Sequence, residues 1–128
     1  MPLFKRAQTT ARFATTISLV GKTVVIAYEE GNDEFGAILP LEGEIIQSFG
    51  STDSGGGWHL VWLDEAFEYR GIAYAHLMIA ARWVARPIGS SIPVPINIRF
   101  VPNVSLLDTG APEIDKLPFA AKGTAAIL

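Results

Sequence analysis

The sequence predicts a mainly β protein, a single-domain antiparallel barrel or sandwich of roughly six to eight strands. Twelve glycines and eight prolines punctuate 128 residues at short intervals, a spacing that suits many short strands joined by tight turns. Between them apolar and polar residues alternate, most plainly where Ile92, Val94, Ile96, Ile98 and Phe100 interleave with Pro93, Pro95, Asn97 and Arg99. Two long apolar runs also flank the dipeptide Arg70-Gly71, which has the size and composition of a two-residue hairpin turn.

Taken in order, "RFATTISLV-GK-TVVIAYEE" reads as a first hairpin about Gly21-Lys22. Its core face carries Phe13, Ile17 and Leu19 with Val24, Ile26 and Tyr28. "EGNDEFG" follows as a polar loop, and "FGAILPL-EG-EIIQSF" reads as a second hairpin in which Pro40 pushes its strand toward an edge or a bulge. The glycine run of "SGGGW" precedes a strand and has no Lys or Arg between positions 29 and 69 to help hold an anion. It is therefore a slack connection rather than a phosphate cradle.

Pairing about Arg70-Gly71 sets Phe67 against Tyr74, Glu65 against His76, His59 against Arg82 and Trp58 against Trp83. Such cross-strand agreement specifies a sheet. The competing assignment is a helix over residues 72–85 packed on a β-meander, an α+β fold, because "IAYAHLMIAARWVA" is rich in helix formers and is stopped by Pro87. The segment lacks a capping residue and is apolar all round, which favours the strand. Prolines repeated on one face make the strand at 92–100 an edge. The apolar C-terminal "TAAIL" is expected to dock on its own domain or on a neighbour's.

A length of 128 residues accommodates one domain, 1–128. Hydrophobic residues make up 49% of the chain, more than one small core hides, so a homo-oligomer is expected. No apolar run is long enough for a membrane-spanning helix, and the start of the chain supplies only the basic portion of a secretory signal, which leaves the cytoplasm as the default location. The absence of cysteine excludes disulfides, thiolate metal sites and a Cys nucleophile. The net charge of −3, with no basic cluster beyond Lys5-Arg6, argues against nucleic acid.

Two constellations could carry chemistry. "SLLDTGAPEI" is similar, over about six residues, to the segment that presents the catalytic carboxylate of pepsin-like and retroviral-type aspartic proteases, which here falls on Asp108. Only 20 residues follow it and a second Asp-Thr-Gly is missing, so Asp108-Thr109-Gly110 is read as a turn closing a strand. The other constellation is the pair Glu65 and His76, an acid–base candidate if both lie in an apolar cavity. No metal site or cofactor is expected, since two histidines 17 positions apart and an acidic "EEGNDE" lack ligand spacing.

The function read from these features is a non-catalytic module that binds a small apolar ligand, a peptide or a protein partner, as a homo-oligomer. Its ligand wall is assigned to Trp58, His59, Trp62, Glu65, Tyr74, His76, Met78, Arg82 and Trp83. The alternatives are a small enzyme using Glu65 and His76, and a purely structural assembly protein. A catalytic site generally needs more titratable groups among polar orienters than this chain offers.

Overall fold

The computed structural model describes residues 18–49, 57–83, 85–102 and 117–128. Six strands form one closed antiparallel barrel: β1 (Thr23–Glu30), β2 (Leu41–Phe49), β3 (Trp58–Tyr69), β4 (Ile72–Ala81), β5 (Val94–Val101) and β6 (Phe119–Ile127). Each strand pairs with its neighbours in sequence, and β6 returns to pair with β1. Four residues between β1 and β2 form a single helical turn, α1 (Asp33–Gly36). Among the described residues no helix is long and apolar enough to cross a membrane.

Period-2 alternation places one side of every strand inside. Val24 and Ile26 of β1, Ile45 of β2, Val61 of β3, Leu77 and Ile79 of β4, and Ile96 and Ile98 of β5 are all fully buried there. β6 contributes small residues instead, Ala121, Gly123 and Ala125, because the wall of a narrow barrel has no room for more. A Cβ on Gly123 would lie within 2.1 Å of the Ala27 carbonyl oxygen, and one on Gly43 within 2.5 Å of the Trp62 carbonyl oxygen. Backbones approach that closely only at glycine.

The α1 end of the barrel is stoppered by Phe35, which is wholly buried and meets Phe67, Tyr69 and Phe100 at centroid separations of 5.5, 6.5 and 5.0 Å. Its burial alone contributes about 1.5–3 kcal/mol. Asn32 caps the turn by accepting from the Phe35 amide at 3.0 Å, and its Nδ2 donates to Tyr69 Oη at 2.9 Å. The same residue's backbone N–H donates to Tyr28 Oη, which in turn donates to Asp33 Oδ1. That bond to the Asp33 carboxylate, aided by burial, raises the Tyr28 phenol above its ordinary value of 10.

Apolar packing continues outside the cylinder. Leu60, Met78, Val101 and Leu117 form a second buried cluster, with Ile46, Phe49 and Trp58 against it. Leu60 and Met78 are cross-strand partners between inward pairs, so they point out of the wall. Part of the apolar surplus in the composition is thus absorbed by a second layer.

The β-barrel expectation holds, and residues 72–81 are strand rather than helix. The Arg70-Gly71 turn also holds, with both residues at positive φ, 53° and 83°, as a type I′ turn demands. The chain does turn before β1, where the Lys22 amide donates to the Leu19 carbonyl at 3.0 Å; residues 12–17 of the expected first hairpin lie outside the described residues. Three expectations need correction. Glu42-Gly43 is not a turn, for Gly43 runs straight through β2 where the crossing backbone excludes a side chain. Nor is the strand after Pro93 an edge: β5 pairs with both β4 and β6, and its one internal proline, Pro95, precedes the β4 ladder that begins at Ile96. Finally, the long hairpin keeps the expected register only near its turn, as described below.

A Gly123→Ala substitution is expected to lower stability by about 1–3 kcal/mol or more through overpacking against backbone. Gly89→Ala, where nothing lies within 4 Å, should stay within about 0.5 kcal/mol of the parent. Urea denaturation midpoints of the two variants check the contrast.

Candidate functional site

Tyr69–Ile72, Glu68–Ala73 and Phe67–Tyr74 pair as the turn dictates. Beyond them Leu63, Asp64, Glu65 and Ala66 bulge out, and pairing resumes at Trp62–His76 and ends at Trp58–Ala80. Leu63 must turn inward to face Gly43 of β2, while Asp64 and Glu65 must stay in water, and the extra residues satisfy both demands by bending the strand. The expected pairs Glu65–His76, His59–Arg82 and Trp58–Trp83 therefore do not form.

The nine residues assigned to a ligand wall are dispersed accordingly. His76 stacks on the half-exposed Trp62 on the outer wall, with ring centroids 6.4 Å apart and planes 12° from parallel. Burial lowers its pKa below the ordinary histidine value. Met78 lies in the outer cluster, and Trp58 beside it faces the Arg99 guanidinium at 5.7 Å. Arg82 pairs with Glu29 and stacks near Trp83 at 5.8 Å. Glu65 instead borders a shallow cleft of ≈ 380 Å³ with Val25, Pro40, Leu41, Glu42 and Asp64. His59 sits at the barrel end opposite α1, where its Nδ1 is 2.8 Å from Ser48 Oγ across the β2–β3 ladder.

Tyr74 alone of the nine belongs to the larger cleft, ≈ 580 Å³, at the α1 end. Tyr69, Tyr74 and Phe100 form its aromatic portion, with Tyr74 and Phe100 stacked at 4.7 Å and Tyr69 and Phe100 at 5.0 Å. Ile72, Pro118 and Phe119 complete the apolar lining, and Gly31, Asn32 and Arg70 supply the polar part. Arg70 is anchored over the Tyr69 ring at 5.2 Å and ion-paired with Glu34 at 3.0 Å. The cleft is the outer side of the aromatic stopper that Phe35 closes from within.

Chemically the cleft sets hydrogen-bond donors beside aromatic rings. Tyr74 is 6% exposed, yet its hydroxyl donates to no acceptor among the described residues. Tyr69 Oη accepts from Asn32, and its own proton has no acceptor among the described residues. No cluster of three or more metal-ligating side chains occurs among the described residues. Asp108-Thr109-Gly110 and Gly55-Gly56 of the glycine run lie outside them.

Compared with known proteins, the chain matches no family, no curated protein and no solved structure.

Sequence reasoning missed Asn32, Tyr69, Arg70 and Phe119 as site residues. Asn32 carried a usable signal, since Asn followed by Asp33 and Glu34 is a helix-start pattern. Phe119 carried none, because its position follows only from closure of β6 on β1.

Burial lowers the His59 pKa, so the folded protein holds that proton less firmly than the unfolded chain. Stability is then unaffected by His59 above its unfolded value of about 6.5 and falls as pH drops below it, until the folded pKa is passed. NMR titration should place His59 under 6.5, and His59→Gln should lose less thermal stability than the parent between pH 7.5 and 5.5.

Proposed function

We propose that this protein is a non-catalytic binding module whose ligand, a small molecule with an apolar ring, occupies the cleft at the α1 end of the barrel. The observation that carries this reading is the cleft itself: stacked aromatic side chains floor it, and Tyr74, nearly buried, lines it with a hydroxyl that has no acceptor among the described residues. Concave, mostly apolar sites with a few placed polar groups are the usual form of small-ligand sites, and mouths of β-barrels are a common place for them. Rigid support favours the same reading, since Asn32, Tyr28 and Tyr69 tie the rim to two strands. An acid–base role loses its basis because Trp62, not Glu65, stands opposite His76.

The test is a titration of ¹⁵N-labelled protein with bicyclic aromatic fragments. Amide shifts are expected to cluster at Gly31, Asn32 and residues 69–74, and Ile72→Asp, a change at a half-exposed rim position, should weaken binding at least about tenfold by placing a charge on the apolar lining. Shifts scattered over the barrel, or undiminished binding by the variant, would sink the assignment.

A second reading, self-association, is favoured by Trp62, a large side chain 55% exposed beside the outer apolar cluster. Light scattering should then give a multiple of 13.8 kDa for the parent and a smaller mass for Trp62→Glu. A parent at the single-chain mass removes this reading.

A further inference from the structure

Resting on the cleft as the binding site, the chemistry of its lining can be taken one step further, to the charge of the ligand. Every side chain that brings a polar group to the cleft brings a donor. Arg70 is the charged residue among the lining side chains, and no carboxylate is among them. Tyr74 and Tyr69 each have a phenol proton with no acceptor among the described residues, and the Asn32 side-chain oxygen is already taken up by the Phe35 amide. A site rich in donors and poor in acceptors favours an acceptor-rich, negatively charged group.

The Arg70 guanidinium is engaged by Glu34, through Nη2 at 3.0 Å and Nε at 3.3 Å to the same Oε1. Both side chains are largely exposed, 69% and 52%, so the pair is screened by water and holds only weakly. A guanidinium presents five donors in a fixed plane, and a carboxylate is the group that matches its fork. The type I′ turn sets the point at which the Arg70 side chain leaves the backbone, with φ 53°, and the Tyr69 ring, 5.2 Å from the guanidinium, supports it at the cleft independently of Glu34.

We infer that the cleft takes a small flat-ring carboxylate, the ring lying on Tyr74 and Phe100 and the carboxylate replacing Glu34 on Arg70. Glu34 then acts as a built-in stand-in for the ligand's anionic group. It neutralises Arg70 in the empty protein and competes with the ligand for it.

The experiment compares two probes of the same shape, 2-naphthoate and 2-naphthamide, by NMR and calorimetric titration of the full chain at pH 7. Naphthoate is expected to bind at least tenfold more tightly than the amide. Arg70→Asn, a residue that tolerates the left-handed backbone of the turn, should erase that preference, and Glu34→Gln should tighten naphthoate about threefold while leaving the amide unchanged. Equal affinity of the parent for both probes, with shifts at the cleft, overturns the carboxylate inference and leaves the cleft standing as an apolar site. Absence of cleft shifts with either probe overturns both. A Glu34→Gln variant that binds naphthoate no better than the parent overturns the competition by Glu34.

Discussion

Closing a cylinder with only six strands leaves so narrow an interior that backbone-to-backbone approach governs which residues stand where. The Ala27 carbonyl presses on Gly123 and the Trp62 carbonyl on Gly43, while alanines fill the neighbouring inward positions of β6. Apart from Ile127 at the end of β6, the bulky aliphatic residues of the bore stand on the other strands, and most of them are fully buried. Because the bore is filled by these side chains, the larger apolar cleft lies at a mouth instead of in a lumen. The stopper of α1 and the cleft above it are two sides of one aromatic layer.

Much of this architecture was legible before any coordinates. Alternation identified the inward faces of β1 and β5, and the Arg70-Gly71 dipeptide located the central turn to the residue. What could not be read was set by non-local geometry. Nothing around Leu63–Ala66 signals that the barrel bends there, since the bulge answers to Gly43 on another strand. Gly43 looked like a turn for the same reason, because glycine serves both reversal and close approach, and only the packing partner tells which. The C-terminal alanines and glycine looked like a tail to be docked, and became the strand that closes the ring.

The candidate site suffered more from that bulge than the fold did. A displaced register leaves a strand a strand, but it moves every side chain beyond it to a new neighbour. Tyr74, on the turn side of the bulge, stayed beside Phe67 and in the cleft. Residues on the far side, Trp58, His59 and Trp62, went to the opposite mouth or to the outer wall. The site instead gathers around Arg70, drawing on the loop after β1, the β3–β4 turn, the end of β5 and the start of β6. Four separate stretches of chain meet there only because the barrel closes.

The strand pairings are not equally strong around the ring. β3, β4 and β5 are buried on both sides, by the bore and by the outer Leu60–Met78 cluster. β1 and β2 share only four paired positions, Thr23–Ile26 against Leu41–Glu44, with two hydrogen bonds between Ile45 and residues 21 and 22 just beyond. Fewer paired positions make this seam the expected starting point for openings that part the ring without unfolding it, with the doubly covered sector expected to open last. The α1 turn spans the loop between those two strands, so the bonds from Asn32 to Tyr28 on β1 and to Tyr69 on β3 bridge the least-paired sector of the ring.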